Sequence, residues 1–128
     1  MINNRISDII SRIRNTIKST KNGLIYNQKD SFNSKEILEI LAKLGELGFI
    51  KYEKGNWYLN THKNTNIPIL ENIKGRSTSG KRMYRGNNFI KENEIVRTSK
   101  GILIGYEARK EKRGGEILMK VERSGIIK

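Results

Sequence analysis

An α+β fold of two small domains is what this sequence predicts: an N-terminal α-β-α-β-β unit over residues 1–66 and a C-terminal β-rich unit over residues 67–128. Three observations predict it. Two stretches in the first half repeat Ile and Leu at three- and four-residue spacing, the period of a helix with one apolar face. Beyond about residue 71, apolar residues fall in short runs split by Gly, Ser and Asn, the pattern of strands and turns. Between these regions residues 60–66 are polar, and Pro68 marks the next extended run as a strand start or an edge. Neither half is large enough to bury much core alone, so the halves are expected to pack together.

The first helix is expected over residues 5–18, with Ile6, Ile9, Ile10, Ile13 and Ile17 as its apolar stripe. Asn4 fits its N-cap, and Asp8 lies near the positive end of the helix dipole. Arg5, Arg12, Asn15 and Lys18 lie off the stripe, on a face open either to water or to a polyanion. A short strand follows at Gly23-Leu24-Ile25-Tyr26. Asn33 with Glu36 then reads as a capping box, Phe32 with Ile37 as a hydrophobic staple, and Ile37, Ile40, Leu41 and Leu44 as the buried face of a second helix. Gly48 fits the left-handed position that ends it. A hairpin follows, with strands around Phe49–Tyr52 and Trp57–Leu59 turning at Gly55-Asn56, and with Tyr52 and Trp57 assigned to the core. From Ile67 onward the chain reads as extended segments only.

Charge narrows the function. The 128 residues carry 26 Lys and Arg against 13 Asp and Glu, a net charge of +13. Solubility needs far less, and so dominant a sign points to a polyanionic partner, nucleic acid before an acidic protein or an anionic membrane. There is no Cys, which excludes disulfides and thiolate metal sites and suits a reducing compartment. No apolar run approaches the ~20 residues of a membrane span. Met1 leads straight into the first helical pattern, so no secretory or transit segment is expected. Ile, Asn and Lys are heavily used and Ala and Pro are scarce, as in AT-rich genomes, among them organelles and some bacteria.

Several motifs have two readings. Gly75–Arg82 satisfies Gly-x4-Gly-Lys, but Arg82 stands where a P-loop needs a magnesium-holding hydroxyl, and no credible helix follows. It reads instead as a basic loop that turns Arg76, Lys81 and Arg82 towards a phosphate backbone. Thr98-Ser99-Lys100 offers hydroxyls able to bind phosphate, 2′-OH or a base edge. As a Ser-Lys nucleophile pair it fails, because neighbouring strand residues face opposite ways. Gly114-Gly115 is either a plain hairpin turn or a turn that also lets RNA approach the backbone. Tyr84, among basic residues, is a candidate stacking platform. His62 is the only histidine and has no companion ligands, so no metal site is expected.

Thr98-Ser99-Lys100-Gly101, Ala108-Arg109 and Gly114-Gly115-Glu116-Ile117, taken in this order and spacing, resemble the C-terminal half of the bacterial-type family of small-subunit ribosomal protein number eight. Ser77, Gly80, Arg82 and Tyr84 also match a family segment, with Ser79 in place of its proline. The Arg12-Ile13-Arg14-Asn15 stretch is similar to the basic pattern of the family's first helix. The likeness covers about residues 5–121.

The resemblance implies an architectural, non-enzymatic protein that binds the central domain of small-subunit rRNA, helps it assemble, and neighbours other small-subunit proteins. It implies no cofactor, no small-molecule substrate and no membrane partner. The RNA-contact set it implies, together with the basic positions above, is Arg12, Arg14, Asn15 and Lys18 on the first helix and Ser34 and Lys35 at the start of the second. Arg76, Ser77, Lys81, Arg82 and Tyr84 form a middle group. Thr98, Ser99, Lys100, Gly101, Arg109, Gly114, Gly115 and Glu116 form the last. The family's first hydroxyl before Thr98 is Arg97 here, which substitutes a phosphate contact for a hydroxyl contact. The segment between Tyr84 and Thr98 is short for the family, so its usual short helix is expected to be truncated or lost. The composition, the short segment and Arg97 together suggest an organelle-encoded, mitochondrial ribosome, with a plastid or an AT-rich bacterium as alternatives. Two rivals remain: a basic DNA- or RNA-binding regulator outside the ribosome, and an enzyme such as a nuclease.

Overall fold

Ile6, Ile9, Ile10 and Ile13 are all buried along one side of helix α1, Asn4–Ser19. The computed structural model describes residues 4–19, 23–27, 35–62, 67–77 and 81–124. Asn4 is the first helical residue and not the expected cap, a one-residue difference common at helix ends. Asp8 lies beyond the first turn, where the dipole acts, and pairs with Arg12 at 3.2 Å. Helix α2, Lys35–Glu46, buries Ile37, Ile40, Leu41 and Leu44 as expected. It ends in a Schellman motif: Gly48 N–H donates to the Gly45 carbonyl, Phe49 N–H donates to the Leu44 carbonyl, and Gly48 takes φ +85°. The expected cap Asn33, staple residue Phe32 and contact Ser34 lie outside the described residues.

Strands β1 (Leu24–Asn27), β2 (Ile50–Glu53) and β3 (Asn56–Leu59) form an antiparallel sheet in the order β1-β3-β2. The β2–β3 turn is Lys54-Gly55, one residue earlier than expected. Both residues have positive φ, 49° and 83°, the backbone of the tight turn that matches strand twist. Tyr52 is not a core residue. It is 49% exposed and leans its ring on its cross-strand partner Trp57, 5.0 Å between centroids. Only Ile50 of the edge strand β2 is buried, and Trp57 packs against the core from its margin.

The second half is not purely extended. Strands β4 (Leu70–Gly75), β5 (Tyr84–Arg85), β6 (Glu94–Thr98), β7 (Gly101–Ile104) and β8 (Gly115–Arg123) are joined by helix α3, Gly105–Lys110, and one 3-10 turn, Asn87–Phe89. The sheet order is β4-β8-β6-β7, with β5 continuing the β4 edge of β8. The six residues of α3 are too few to show a period. Gly105 is needed there because a Cβ would overlap the Lys91 carbonyl. Glu107 Oε1 accepts the Ile104 N–H at 2.9 Å, which satisfies one of the free donors at the helix start.

A bulge at Leu118 sets the two faces of this sheet. Ile95 pairs with Met119 and Val96 with Ile117, so the intervening Leu118 is extra. Ile95, Ile102, Ile104, Leu118 and Met119 join the α1 and α2 stripes in one apolar cluster that runs through both halves of the chain. Val96, Leu103 and Ile117 face the other way, against Ala108 of α3 and Ile90. Polar links cross the halves as well. Arg14 donates to the Ile73 carbonyl at 2.9 Å, Arg123 donates to the Leu47 carbonyl at 2.8 Å, and Glu39 accepts the Ile102 N–H at 3.2 Å.

Candidate nucleic-acid interface

Ser99 and Lys100 are the two exposed residues of the β6–β7 loop. Thr98 closes that loop from inside: its hydroxyl donates to the Gly101 carbonyl at 3.0 Å and accepts the Lys100 N–H at 3.1 Å. Gly101 completes the turn at φ +106°, where a side chain would be strained and would also press on Glu39. Thr98 is only 9% exposed, so its role here is to shape the loop. The loop is braced by the segment after α3. Arg113 donates to the Ser99 hydroxyl at 3.0 Å, Lys100 pairs with Glu111 at 3.4 Å, and Glu111 also faces Arg113 at 3.5 Å. The Lys100 ammonium thus sits by a carboxylate and not by the Ser99 hydroxyl.

Three expected contact residues turn inward. Ser77 is 6% exposed; its hydroxyl donates to the Ile117 carbonyl at 2.7 Å and accepts the Met83 N–H at 2.8 Å, closing the base of the basic loop. Glu116 is 3% exposed and binds Arg97 at 2.7 Å. Arg97, expected to reach a phosphate, is instead held by Glu116 and by both oxygens of Glu36 at 2.6 and 2.9 Å. Burial acts to lower the Arg97 pKa, but the Glu36 and Glu116 carboxylates outweigh it and raise the pKa above its ordinary value. Gly114 and Gly115 do not form a hairpin turn. They lead from α3 into β8, and their lack of a Cβ admits the protein's own backbone, the Arg85 carbonyl beside Gly114 and the Arg97 carbonyl beside Gly115.

The middle group divides in the same way. Lys81, Arg82 and Tyr84 are exposed, Tyr84 by 63%. Arg76 is half-buried, and strand β5, not a helix, follows the Gly-Lys stretch. Thr78, Ser79 and Gly80 lie outside the described residues. Arg85, which sequence reasoning passed over, pairs with Glu94 at 2.9 Å; Glu94 is 1% exposed and also accepts the Lys91 N–H at 2.9 Å. Nothing local marks Arg85 as structural, since its partner lies nine positions away.

Register brings most of the C-terminal set together. Tyr84 on β5, Glu116 on β8 and Arg97 on β6 form one cross-strand row, and the Glu36 contact adds the start of α2, where Lys35 is exposed. Exposed Arg109 lies on α3, which leads into the loop-bracing residues Glu111 and Arg113. The α1 group is placed elsewhere. Asn15 and Lys18 are exposed, Arg12 is half-buried, and Arg14 is tied to β4, the strand at the far edge from the β6–β7 loop. Among the described residues no group of three His, Asp or Glu side chains has the arrangement of a metal site, and no helix is long and apolar enough to cross a membrane.

Residues 4–121 match the family model of ribosomal protein S8. Three relatives are similar over nearly their whole length. A protein from Pleurastrum terricola named small ribosomal subunit protein uS8c is 35% identical, covering 94% of this chain and 99% of its own. The uS8 proteins of Orientia tsutsugamushi and Acholeplasma laidlawii are 34% and 32% identical, covering 91% and 88% of this chain and 95% and 92% of theirs.

Proposed function

Because the chain belongs to the ribosomal protein S8 family, we propose that it holds the central domain of small-subunit rRNA through the braced β6–β7 loop and the cations around it. The protein is a structural constituent of the small ribosomal subunit and turns over no substrate. The observation that carries the finer reading is the loop itself: Ser99 and Lys100 project from a turn whose shape Thr98 and Gly101 fix from within and Arg113 braces at the surface. A preformed, exposed hydroxyl-and-ammonium pair suits the shallow groove of an RNA helix, where shape, 2′-OH and phosphate are read. Ser99, Lys100, Lys81, Arg82, Tyr84, Arg109 and Lys35 form the contact surface in this reading, with Asn15 and Lys18 as a second, separate patch. Thr98, Ser77, Gly101, Gly114, Gly115 and Glu116 build its frame. Neighbouring small-subunit proteins are its other partners.

The ribosome in question is proposed to be an organelle's, mitochondrial and organelle-encoded. The heavy use of Ile, Asn and Lys and the short segment between Tyr84 and Thr98 support that reading. Fractionation of source cells, with the protein followed by immunoblot, tests it: co-sedimentation with mitochondrial small subunits is expected, and recovery with plastid or bacterial cytoplasmic subunits overturns it.

The test of the RNA reading is binding to a central-domain rRNA fragment against a scrambled duplex of equal length, across a salt series. Preference for the fragment that persists at high salt is expected. Equal affinity for both, with the same salt slope, means that net charge alone drives binding and overturns the reading.

A further inference from the structure

Helix α3 presents Tyr106, Arg109 and Lys110 along one exposed side, at the three- and four-residue spacing that brings helical side chains together, while Gly105 and Ala108 are buried behind it. Opposite stand Asn87 and Asn88 of the 3-10 turn and Glu92 of the following loop. These six residues line an open concavity of about 390 Å³. The volume lies at the low end of the range for small-ligand sites. No hydrogen bond or ion pair with a described residue engages the side chains of Glu92, Tyr106, Arg109 or Lys110. The contrast with the adjoining loop is direct, since Lys100 and Arg113 are both matched by Glu111.

We propose that this concavity takes one unpaired guanine nucleotide of an RNA strand, next to the surface that the β6–β7 loop offers. The inference deepens the RNA reading above and rests on it. The Tyr106 ring, 48% exposed, supplies a face for a base to stack on. Arg109 and Lys110 supply unmatched positive charge for the flanking phosphates. Glu92 supplies the selectivity. Its two carboxylate oxygens only accept hydrogen bonds, and guanine alone offers two adjacent N–H donors on its pairing edge. The Asn87 and Asn88 amides donate and accept, so they suit the remaining edge and the ribose. A paired base in a duplex is stacked on both sides and does not enter a concave site, so the nucleotide must be unpaired. An acidic peptide would bring its charge against Glu92. The site continues into the loop-binding surface, because α3 runs from Tyr106 directly to Glu111, the partner of Lys100.

The experiment uses the full chain and fluorescein-labelled pentanucleotides UUGUU and UUUUU, read by anisotropy at physiological salt. The expected result is that UUGUU binds roughly tenfold tighter than UUUUU. Tyr106→Ala is expected to weaken UUGUU roughly tenfold or more, while Tyr106→Phe, which keeps the ring, stays near wild type. Glu92→Gln is expected to bring the two RNAs to equal affinity with little change for UUUUU. The inference is overturned if wild type binds the two equally, if Tyr106→Ala binds UUGUU as wild type does, if Glu92→Gln keeps the preference, or if a pentaglutamate peptide displaces UUGUU from wild type. The central-domain fragment is titrated in parallel. Preference for that fragment over scrambled duplex, with no guanine preference in the pentanucleotides, removes the pocket and leaves the RNA reading standing. No preference in either pair removes both.

Discussion

The Arg97 guanidinium and the Glu116 carboxylate meet at 2.7 Å across β6 and β8, and the remaining guanidinium nitrogens reach Glu36 on α2. One side chain thus ties two strands of the C-terminal sheet to an N-terminal helix. The Glu116 carboxylate is almost wholly buried, and its Oε2 has no hydrogen-bond partner, so Arg97 is what balances its charge. Arg97→Ser removes that balance. We predict a loss of about 2–3 kcal/mol in urea unfolding, somewhat below the usual figure for breaking a buried pair because Arg97 is partly exposed. The double variant Arg97→Ser with Glu116→Gln should recover most of the loss. An unchanged urea midpoint for Arg97→Ser would show that the clamp adds nothing.

Two serines near the proposed RNA surface should behave oppositely. Ser77 holds the Ile117 carbonyl and the Met83 N–H, both 2.7–2.8 Å away. Ser77→Ala leaves buried groups without partners and should cost ~1–3 kcal/mol of stability. Ser99 is exposed, so Ser99→Ala should stay within about 0.5 kcal/mol of wild type in stability. Its effect should fall on discrimination between the rRNA fragment and a scrambled duplex. Thermal melts and titrations of both variants give the comparison, and a stability loss confined to Ser99→Ala would reverse the two roles.

The difference between these serines is also the difference between what the sequence reveals and what it hides. The stripe Ile6, Ile9, Ile10 and Ile13 and the stop at Gly48 were legible because a helix and its end are written within one or two turns of chain. Thr98–Lys100 read locally as strand residues, and only the resemblance implied a turn there; that Thr98 closes it from inside is set by its bonds to Gly101 and Lys100. Ser77 and Glu116 look like surface polar residues in sequence because their partners, Ile117 and Arg97, are 40 and 19 positions away. Gly115 reads as part of a turn, yet it and Gly105 each make room for a distant carbonyl, of Arg97 and Lys91. Helix α3 was missed because a six-residue helix has no measurable period. The site was therefore readable as a set of motifs. Which members face outward was decided by tertiary pairing.

Lys43 gives a pH test of the contact between α2 and α3. Its ammonium lies 3.1 Å from Glu107 and 3.3 Å from Glu46. Burial acts to lower its pKa, but the two carboxylates outweigh burial and hold it above the ordinary 10.5. A group whose folded pKa is raised contributes stability fully below its unfolded pKa and loses it as pH climbs through the folded value. Lys43→Met should therefore be less stable than wild type by a constant margin of about 0.5–1 kcal/mol from pH 7 to 9. The margin should shrink above pH 10.5, the ordinary lysine value. A margin that instead stays constant through that range would mean that the methylene packing of Lys43, which does not titrate, matters and its charge does not.

Arg85 and Lys81 lie four residues apart on one basic segment, yet they should report different properties. Arg85 is bound to the buried Glu94 carboxylate, which also holds the Lys91 N–H. Arg85→Ala strands that carboxylate and should cost ~3 kcal/mol or more of stability. It should also loosen β5, and with it the exposed Tyr84 that pairs with Glu116. Lys81 is exposed on the loop side. Lys81→Ala should reduce the slope of log affinity against log salt by about one, the loss of one phosphate contact. Measured on the same rRNA fragment, Arg85→Ala should lower affinity equally at all salt concentrations once folded protein is counted. If instead Arg85→Ala flattens the salt slope with no change in stability, Arg85 faces phosphate, and the Glu94 pair does not anchor β5.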